Sequence, residues 1–411
     1  MPLFKGKIIA GDNLIVPVVM FHSVGLENTD WIFSHLSDPA ASFKSKIELL
    51  SRKGYRFLFW KELYEHMAGK NQVKQPAVML TFDDGYLDNW TYAFPILKQF
   101  GVKATIFVNP EFVDPSATPR PISENPARES HLNAQFQSKG FLNWAEMREM
   151  ERSGLIDIQS HAMTHTWHYA SPKLMDFHRP DNRAYPWLAW NACPARKPFY
   201  MSEDLNSCVA PGTPVYEAKK ALICRRYFPP DELVRGMQDY VADAGGRDFF
   251  HHGDWRSRLQ AVHAQLMARY GKNGRYETDE EYKARVNWEL AESKCQIENA
   301  LDKSVDFICW PGGGYNETVL SLAREIGYKS WTLSSKDGRE IRNKPGAEPC
   351  QVKRVGSHTH YLRAKGRSYG YAGRYYFYLG LKEHQGSILS RWLKRVLLLS
   401  AMMRTKIHRF F

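Results

Sequence analysis

The feature that most constrains this chain is a repeated order of apolar strand, helix closed by glycine, and apolar strand. The runs VPVVMF (16–21), AVMLTF (77–82), KATIFV (103–108), LIDIQS (155–160), VDFICW (305–310) and KSWTL (329–333) read as strands. Helices are expected near 41–53, 90–100, 144–153 and 317–326, the last three followed by Gly101, Gly154 and Gly327, because glycine accepts the left-handed conformation that ends a helix. Strands joined through helices run parallel, and runs without polar alternation are covered on both faces. Repeated this often, the pattern predicts an α/β fold, a distorted (β/α) barrel. Barrel enzymes build their sites at the C-terminal ends of the strands. The residues found there are His22, Asp83-Asp84, His161 and Pro311-Gly312.

The alternation breaks between His165 and Val305. Residues 166–230 carry Trp, Tyr, Pro and Cys without periodicity; a helix is expected from Asp231 to near Gly245, and another from Thr278, which has capping-box spacing to Glu281. Residues of about 166–275 read as an insertion rooted beside the site, a lid or substrate wall. The expected division is a barrel domain over 1–360 and a basic, aromatic-rich tail over 361–411.

Charge separates the same two parts. The chain has 56 Lys+Arg against 44 Asp+Glu, a net +12. Residues 361–411 hold 11 of those cations and one acid, Glu383, which leaves 45 against 43 for the preceding 360 residues. A near-neutral globule with a basic tail argues against nucleic acid as a partner and for a tail that meets an anionic surface. Within the tail, Trp392, Val396, Leu399, Met403 and Ile407 share one helical stripe. Arg391, Lys394, Arg395, Arg404, Lys406 and Arg409 flank it, with Phe410-Phe411 beyond. Such a stripe either docks on its own domain or lies on an anionic membrane through 387–411. The segment GRSYGYAGRYYFYLG (366–380) is expected to line a glycan groove or approach headgroups.

The apolar run 14–21 contains Pro17 and reads as a strand, not a signal peptide. No segment has the roughly 18 apolar residues needed to span a bilayer. The six cysteines (193, 208, 224, 295, 309, 350) form no CxxC pair, so reduced thiols and a cytoplasmic location are expected, peripheral on the cytoplasmic face of a membrane if the basic tail docks there.

Three segments carry the chemistry: TFDDGYLDN (81–89), SHAMTH (160–165) and WPGGGYN (310–316). Adjacent carboxylates at a strand end can divide labour, one facing a metal and the other a water. His161 and His165 are four apart, so on a helical turn their imidazoles point the same way. One carboxylate and two histidines leave coordination positions open on a divalent ion, as catalysis requires. Asp-Asp-Gly alone is usually a turn and HxxxH alone incidental; together on successive strand ends they point to a metal site.

In these motifs the sequence resembles the polysaccharide deacetylases, carbohydrate esterase family 4, over residues 14–110, 140–170 and 280–335. The resemblance implies a distorted (β/α) barrel and a hydrolase of N-acetylhexosamine-containing glycans. It makes Asp83 the general base, and Asp84, His161 and His165 the ligands of a divalent metal: Zn2+, with Co2+ or Ni2+ also suited to this set. The third motif departs from the family pattern. Cys309 stands where an Arg usually orients the base, and Gly312 stands at the position whose backbone N–H holds the oxyanion; Arg354 is the candidate replacement for the Arg. The segment VMFHSV (19–24) resembles the subgroup that deacetylates poly-N-acetylglucosamine and related exopolysaccharides, which makes His22 the general acid. Other members place that acid late in the chain, where His358 and His360 are the candidates. His168 is expected as a lid residue or a partner of the ligands. With the basic tail, the substrate extends to a lipid-linked oligosaccharide of surface-polysaccharide synthesis. The competing readings are a cytosolic amidase or deformylase on a small amide, and a sugar-binding pseudoenzyme.

Overall fold

Apolar runs that need cover on both faces are accommodated here by a sheet that curls on itself. The computed structural model describes residues 14–26, 29–126, 138–333, 342–357, 360–364, 367–371 and 373–407. In chain order the strands that matter are β1 (Val18–Phe21), β2 (Arg56–Phe57), β3 (Ala77–Phe82), β4 (Ala104–Val108) and β5 (Ile156–Ser160). Then come β6 (Trp167–Phe177) and β7 (Pro214–Lys220), β8 (Phe307–Ile308), β9 (Ser330–Thr332), β10 (Gln351–Val352) and β11 (Val355–Gly356). Hydrogen-bonded neighbours run β10-β9-β8-β5-β4-β3-β1-β11, all parallel, with β2 beside the start of β3. β6 and β7 form a separate antiparallel pair.

The two edge strands, β10 and β11, are separated in sequence by Lys353 and Arg354 alone. The sheet must therefore bend round until its edges meet at a seam. Asn343 ties that seam: its backbone O accepts from Val16 N (2.8 Å), its Nδ2 donates to Val16 O (3.1 Å) and Lys353 O (2.8 Å), and its Oδ1 accepts from Lys353 N (3.0 Å). QVKRVG (351–356) is thus two short strands on opposite edges, because the chain crosses the gap at Lys353-Arg354.

Strand parity sorts the core. Val18, Ala77, Met79, Phe107, Phe307, Cys309 and Val352 pack in one cluster with Trp60, Leu63 and Met67 of a helix over Trp60–Met67. Their chain neighbours Val19, Val78, Leu80, Val108 and Ile308 belong to a second cluster, with the helices outside the sheet. The first cluster fills the barrel interior, where Trp60 meets Phe107 edge-on with ring centroids 5.4 Å apart and stacks on Phe307 at 5.9 Å. The same parity carries Thr81 and Asp83 inward.

The helices in chain order are α1 (Ala40–Arg52), α2 (Trp60–Met67), α3 (Phe94–Phe100), α4 (Trp144–Arg152), α5 (Pro186–Ala192), α6 (Asp231–Asp243) and α7 (Trp255–Tyr270). α8 (Asp279–Leu301), α9 (Glu317–Ile326), α10 (Arg374–His384) and α11 (Ile388–Ile407) follow. α3 and α9 end on left-handed Gly101 (φ 62°) and Gly327 (φ 97°). α8 begins with the expected capping box, Glu281 N to Thr278 Oγ1 at 3.2 Å and Thr278 N to Glu281 Oε2 at 2.8 Å. Within the aromatic segment 366–380, Tyr376 and Phe377 of α10 are buried and α10 packs on α1, whereas Tyr375 is exposed. The Tyr376 and Phe377 rings are core residues, so these two do not line a groove.

Candidate active site

Asp83 and Asp84 follow β3 at the rim, and the turn needs Asp84 in the left-handed region (φ 73°). That conformation separates the two carboxylates. Arg354, delivered by the seam, grips Asp83 with both guanidinium nitrogens: Nη1 to Oδ1 at 2.6 Å and Nη2 to Oδ2 at 2.7 Å. Nη1 also donates to Thr81 Oγ1 (3.2 Å) and Nη2 to Cys309 Sγ (3.0 Å). Burial by itself would raise the Asp83 carboxyl, but Arg354, with smaller help from His161 and His22, holds it down at about 2. His22, just after β1, places its Nε2 3.9 Å from Asp83 Oδ2. Its backbone O accepts from Asn89 Nδ2 at 2.8 Å.

Asp84 faces the histidines. Its Oδ1 lies 3.2 Å from His161 Nε2 and 3.3 Å from His165 Nε2. The HxxxH segment is not the helical turn expected from its spacing. Ala162 (φ 59°) and His165 (φ 42°) are left-handed, and the rings come together, centroids 5.1 Å apart, across an irregular turn. Left-handed residues other than glycine cost about 1–3 kcal/mol each unless their surroundings hold them, and this turn is held from three sides. Asn109, after β4, donates its Nδ2 to the carbonyls of His161 and Ala162, the latter at 3.1 Å. Glu289 of α8 accepts from Thr164 N (3.0 Å) and Thr164 Oγ1. Lys197, from the stretch between β6 and β7, donates to Thr164 O at 3.0 Å and pairs with Glu111.

Asp84 Oδ1 is buried with no hydrogen-bond partner, although two imidazole nitrogens converge on it. A buried carboxylate oxygen left in this state fits a cation at that point. His161 Nδ1 meets Cys309 O at 2.8 Å, which fixes that nitrogen as the donor and leaves Nε2 free to coordinate. Burial drives His165 down to about 4, so it is neutral and able to ligate near neutrality. Asp83, His161 and Cys309 form a second group with ligand-like spacing. The Arg354 cation already occupies both Asp83 oxygens and touches Cys309 Sγ, so Asp84, His161 and His165 are the better ligand set.

A cavity of about 370 Å³ opens over these groups, lined by His22, Asp83, Asp84, His161, His165 and Arg354. Gly312 (φ 53°) lines it too; a Cβ there would press on Lys220, whose Nζ donates to Gly312 O. Trp167, Trp190 and Tyr200, all within the 166–275 insertion, line the wall together with Tyr86, Phe112 and Phe141. His168 does not join them: it is a buried residue of β6, paired with Lys219 of β7, and burial, with Arg285 and Arg226 near, lowers it to about 3. His358 lies outside the described residues. His360 is described through its backbone, which pairs with Tyr371.

Sequence reasoning missed Asn109, Lys197 and Glu289. Asn109 is the polar residue after the KATIFV strand, so the rule that picked out His22 and Asp83 would have found it. Lys197 and Glu289 carry no sequence signal, since long-range packing alone brings them to the turn.

The family model for polysaccharide deacetylases matches residues 70–183 and 248–331. Over those two segments the chain matches a polysaccharide deacetylase domain. YxkH of Bacillus subtilis (strain 168), whose name assigns it to the polysaccharide deacetylases, is 30% identical over 150 residues, which are 36% of this chain and 43% of YxkH. Poly-beta-1,6-N-acetyl-D-glucosamine N-deacetylase of Escherichia coli (strain K12) is 28% identical over 153 residues, 37% of this chain and 21% of that protein. The chain thus spans less than half the length of either relative. The solved structure of a de-N-acetylase from Aggregatibacter actinomycetemcomitans superposes with a TM-score of 0.50 at 19% identity, covering 83% of this chain and 94% of that one. This likeness bears on the fold.

Proposed function

We propose that the protein hydrolyses N-acetyl groups on the N-acetylhexosamine units of a glycan, using a divalent ion held by Asp84, His161 and His165. Zn2+ suits one carboxylate and two imidazoles best, and Co2+ or Ni2+ would accept the same set. The observation that carries the reading is the separation of roles between neighbours: Arg354 takes both oxygens of Asp83, while Asp84 Oδ1 is left to the two imidazoles. An ion there would polarise the acetamide carbonyl and make a water more acidic. Asp83, ionised, takes the proton of the water that attacks the carbonyl carbon. The Gly312 N–H steadies the oxyanion as it forms. When the C–N bond breaks, His22 delivers a proton to the departing nitrogen, leaving acetate and a free amine on the sugar. The aromatic wall suits the apolar face of a pyranose ring, and the name of the Escherichia coli relative supports a poly-N-acetylglucosamine-like substrate. A lipid-linked glycan at the cytoplasmic face of a membrane is the finer form of this proposal, supported by the basic tail.

Acetate release from N-acetylglucosamine oligosaccharides by the metal-loaded protein tests the reading. Asp83→Asn should lower the rate by roughly 10²–10⁴ while the ion stays bound. Turnover of simple acetamides with none of the glycans would make the protein a small-molecule amidase. A bound ion with no turnover of either would leave a sugar-binding pseudoenzyme.

A further inference from the structure

Among the described residues, six of the twelve exposed large apolar side chains sit in the first twelve residues of α11: Ile388, Leu389, Trp392, Leu393, Val396 and Leu399. At about 100° per residue these six fall within an arc of about 140°. Trp392 is 66% and Ile388 78% exposed, so the arc faces outward. The polar side of the helix provides the anchorage. Ser390 is buried, Lys394 Nζ bonds Glu383 of α10 at 2.7 Å and lies over the Tyr376 ring, and Arg391 Nε reaches Glu383 at 3.2 Å. A helix of a soluble domain normally does the reverse, burying its apolar stripe and showing its charges.

We propose that this face of α11 docks on an anionic phospholipid surface, lying in the headgroup plane. Charge decides the occupant. Residues 361–411 carry 11 cations, and their one acid, Glu383, is engaged by Arg391 and Lys394. A second copy of the chain docked face to face would bring one basic tail against another with no countercharge. Anionic lipid supplies both the apolar layer and the countercharge. No described helix is long and apolar enough to cross a membrane, which matches a helix that lies on one.

The test uses the whole chain and vesicles, without turnover, so it stands apart from the deacetylase reading. The protein should co-sediment with vesicles of equal parts phosphatidylglycerol and phosphatidylcholine. It should bind pure phosphatidylcholine at least roughly tenfold more weakly and be released by high salt. Leu389→Glu/Trp392→Glu/Val396→Glu should abolish the binding with an unchanged melting temperature, because all three side chains are exposed. Arg395→Gln should weaken it. Equal binding to both vesicle types, or binding that survives the triple variant, overturns the proposal. So does a dimer that ignores vesicles and that the triple variant turns into a monomer.

Discussion

Asp83 owes its ionisation to Arg354, because burial alone would push its carboxyl up. A base must be anionic, so its activity is present above its pKa and lost as pH falls through it. With that value at about 2, Asp83 contributes no acid limb to the rate near neutrality. Arg354→Gln removes the opposing cation, so an acid limb should rise toward neutral pH as the buried carboxyl is pushed up. His22, the proposed acid, gives its proton to the departing nitrogen, so His22→Ala should lose most of the rate while His358→Ala and His360→Ala are each milder. Rates of the three variants, with a pH–rate profile of Arg354→Gln, check both statements. An Arg354→Gln profile that is lower but unshifted would make Arg354 a purely structural partner. Asp83, Asp84, His161 and His165 were legible because motif and strand end coincide. Arg354 was legible only as a candidate for the Arg whose place Cys309 takes, since nothing local to residue 354 shows that the sheet's edges meet there.

Among the elements, the turn after β5 shows how much spacing can and cannot reveal. Four-residue spacing correctly brought His161 and His165 together but implied a helix, whereas the chain uses two left-handed residues held by Asn109, Glu289 and Lys197. If that support sets ligand geometry, Glu289→Ala should weaken ion binding about 10–100-fold, the usual scale for partners of ligands. Glu289→Gln, which keeps an acceptor for Thr164, should recover part of the loss. Competition with a chelator measures the affinity, and the melting temperature of the ion-free protein separates mere destabilisation. A lower melting temperature with unchanged affinity would confine Glu289 to stability. The β6–β7 pair and α7 escaped sequence reading for physical reasons. Strand pairing there is broken by register shifts between Tyr169 and Asp176, so no clean alternation survives. α7 buries only Leu259 and His263 among its side chains, too thin a stripe to mark a period.

For the whole molecule, the arginine that holds Asp83 depends on the sheet's edges meeting. The alternating strands predicted a parallel barrel, but β8, β10 and β11 are two residues each, too short to show a period of their own. What closes the sheet is Asn343, fully buried and bonded to Val16 on one side and Lys353 on the other. Asn343→Ala takes a side-chain partner from the buried Val16 O and from the N–H and C=O of the half-buried Lys353, at about 1 kcal/mol for each bond lost. Lys353 is the chain neighbour of Arg354, so the damage reaches Asp83 as well as the fold. The expected result is a lower melting temperature together with a lower kcat, measured well below the midpoint where nearly all molecules are folded. Asn343→Asp keeps the acceptor for Lys353 N while giving up the donor, and should fall between. If kcat per folded molecule is unchanged in Asn343→Ala, the seam serves stability alone and Arg354 holds its place without it.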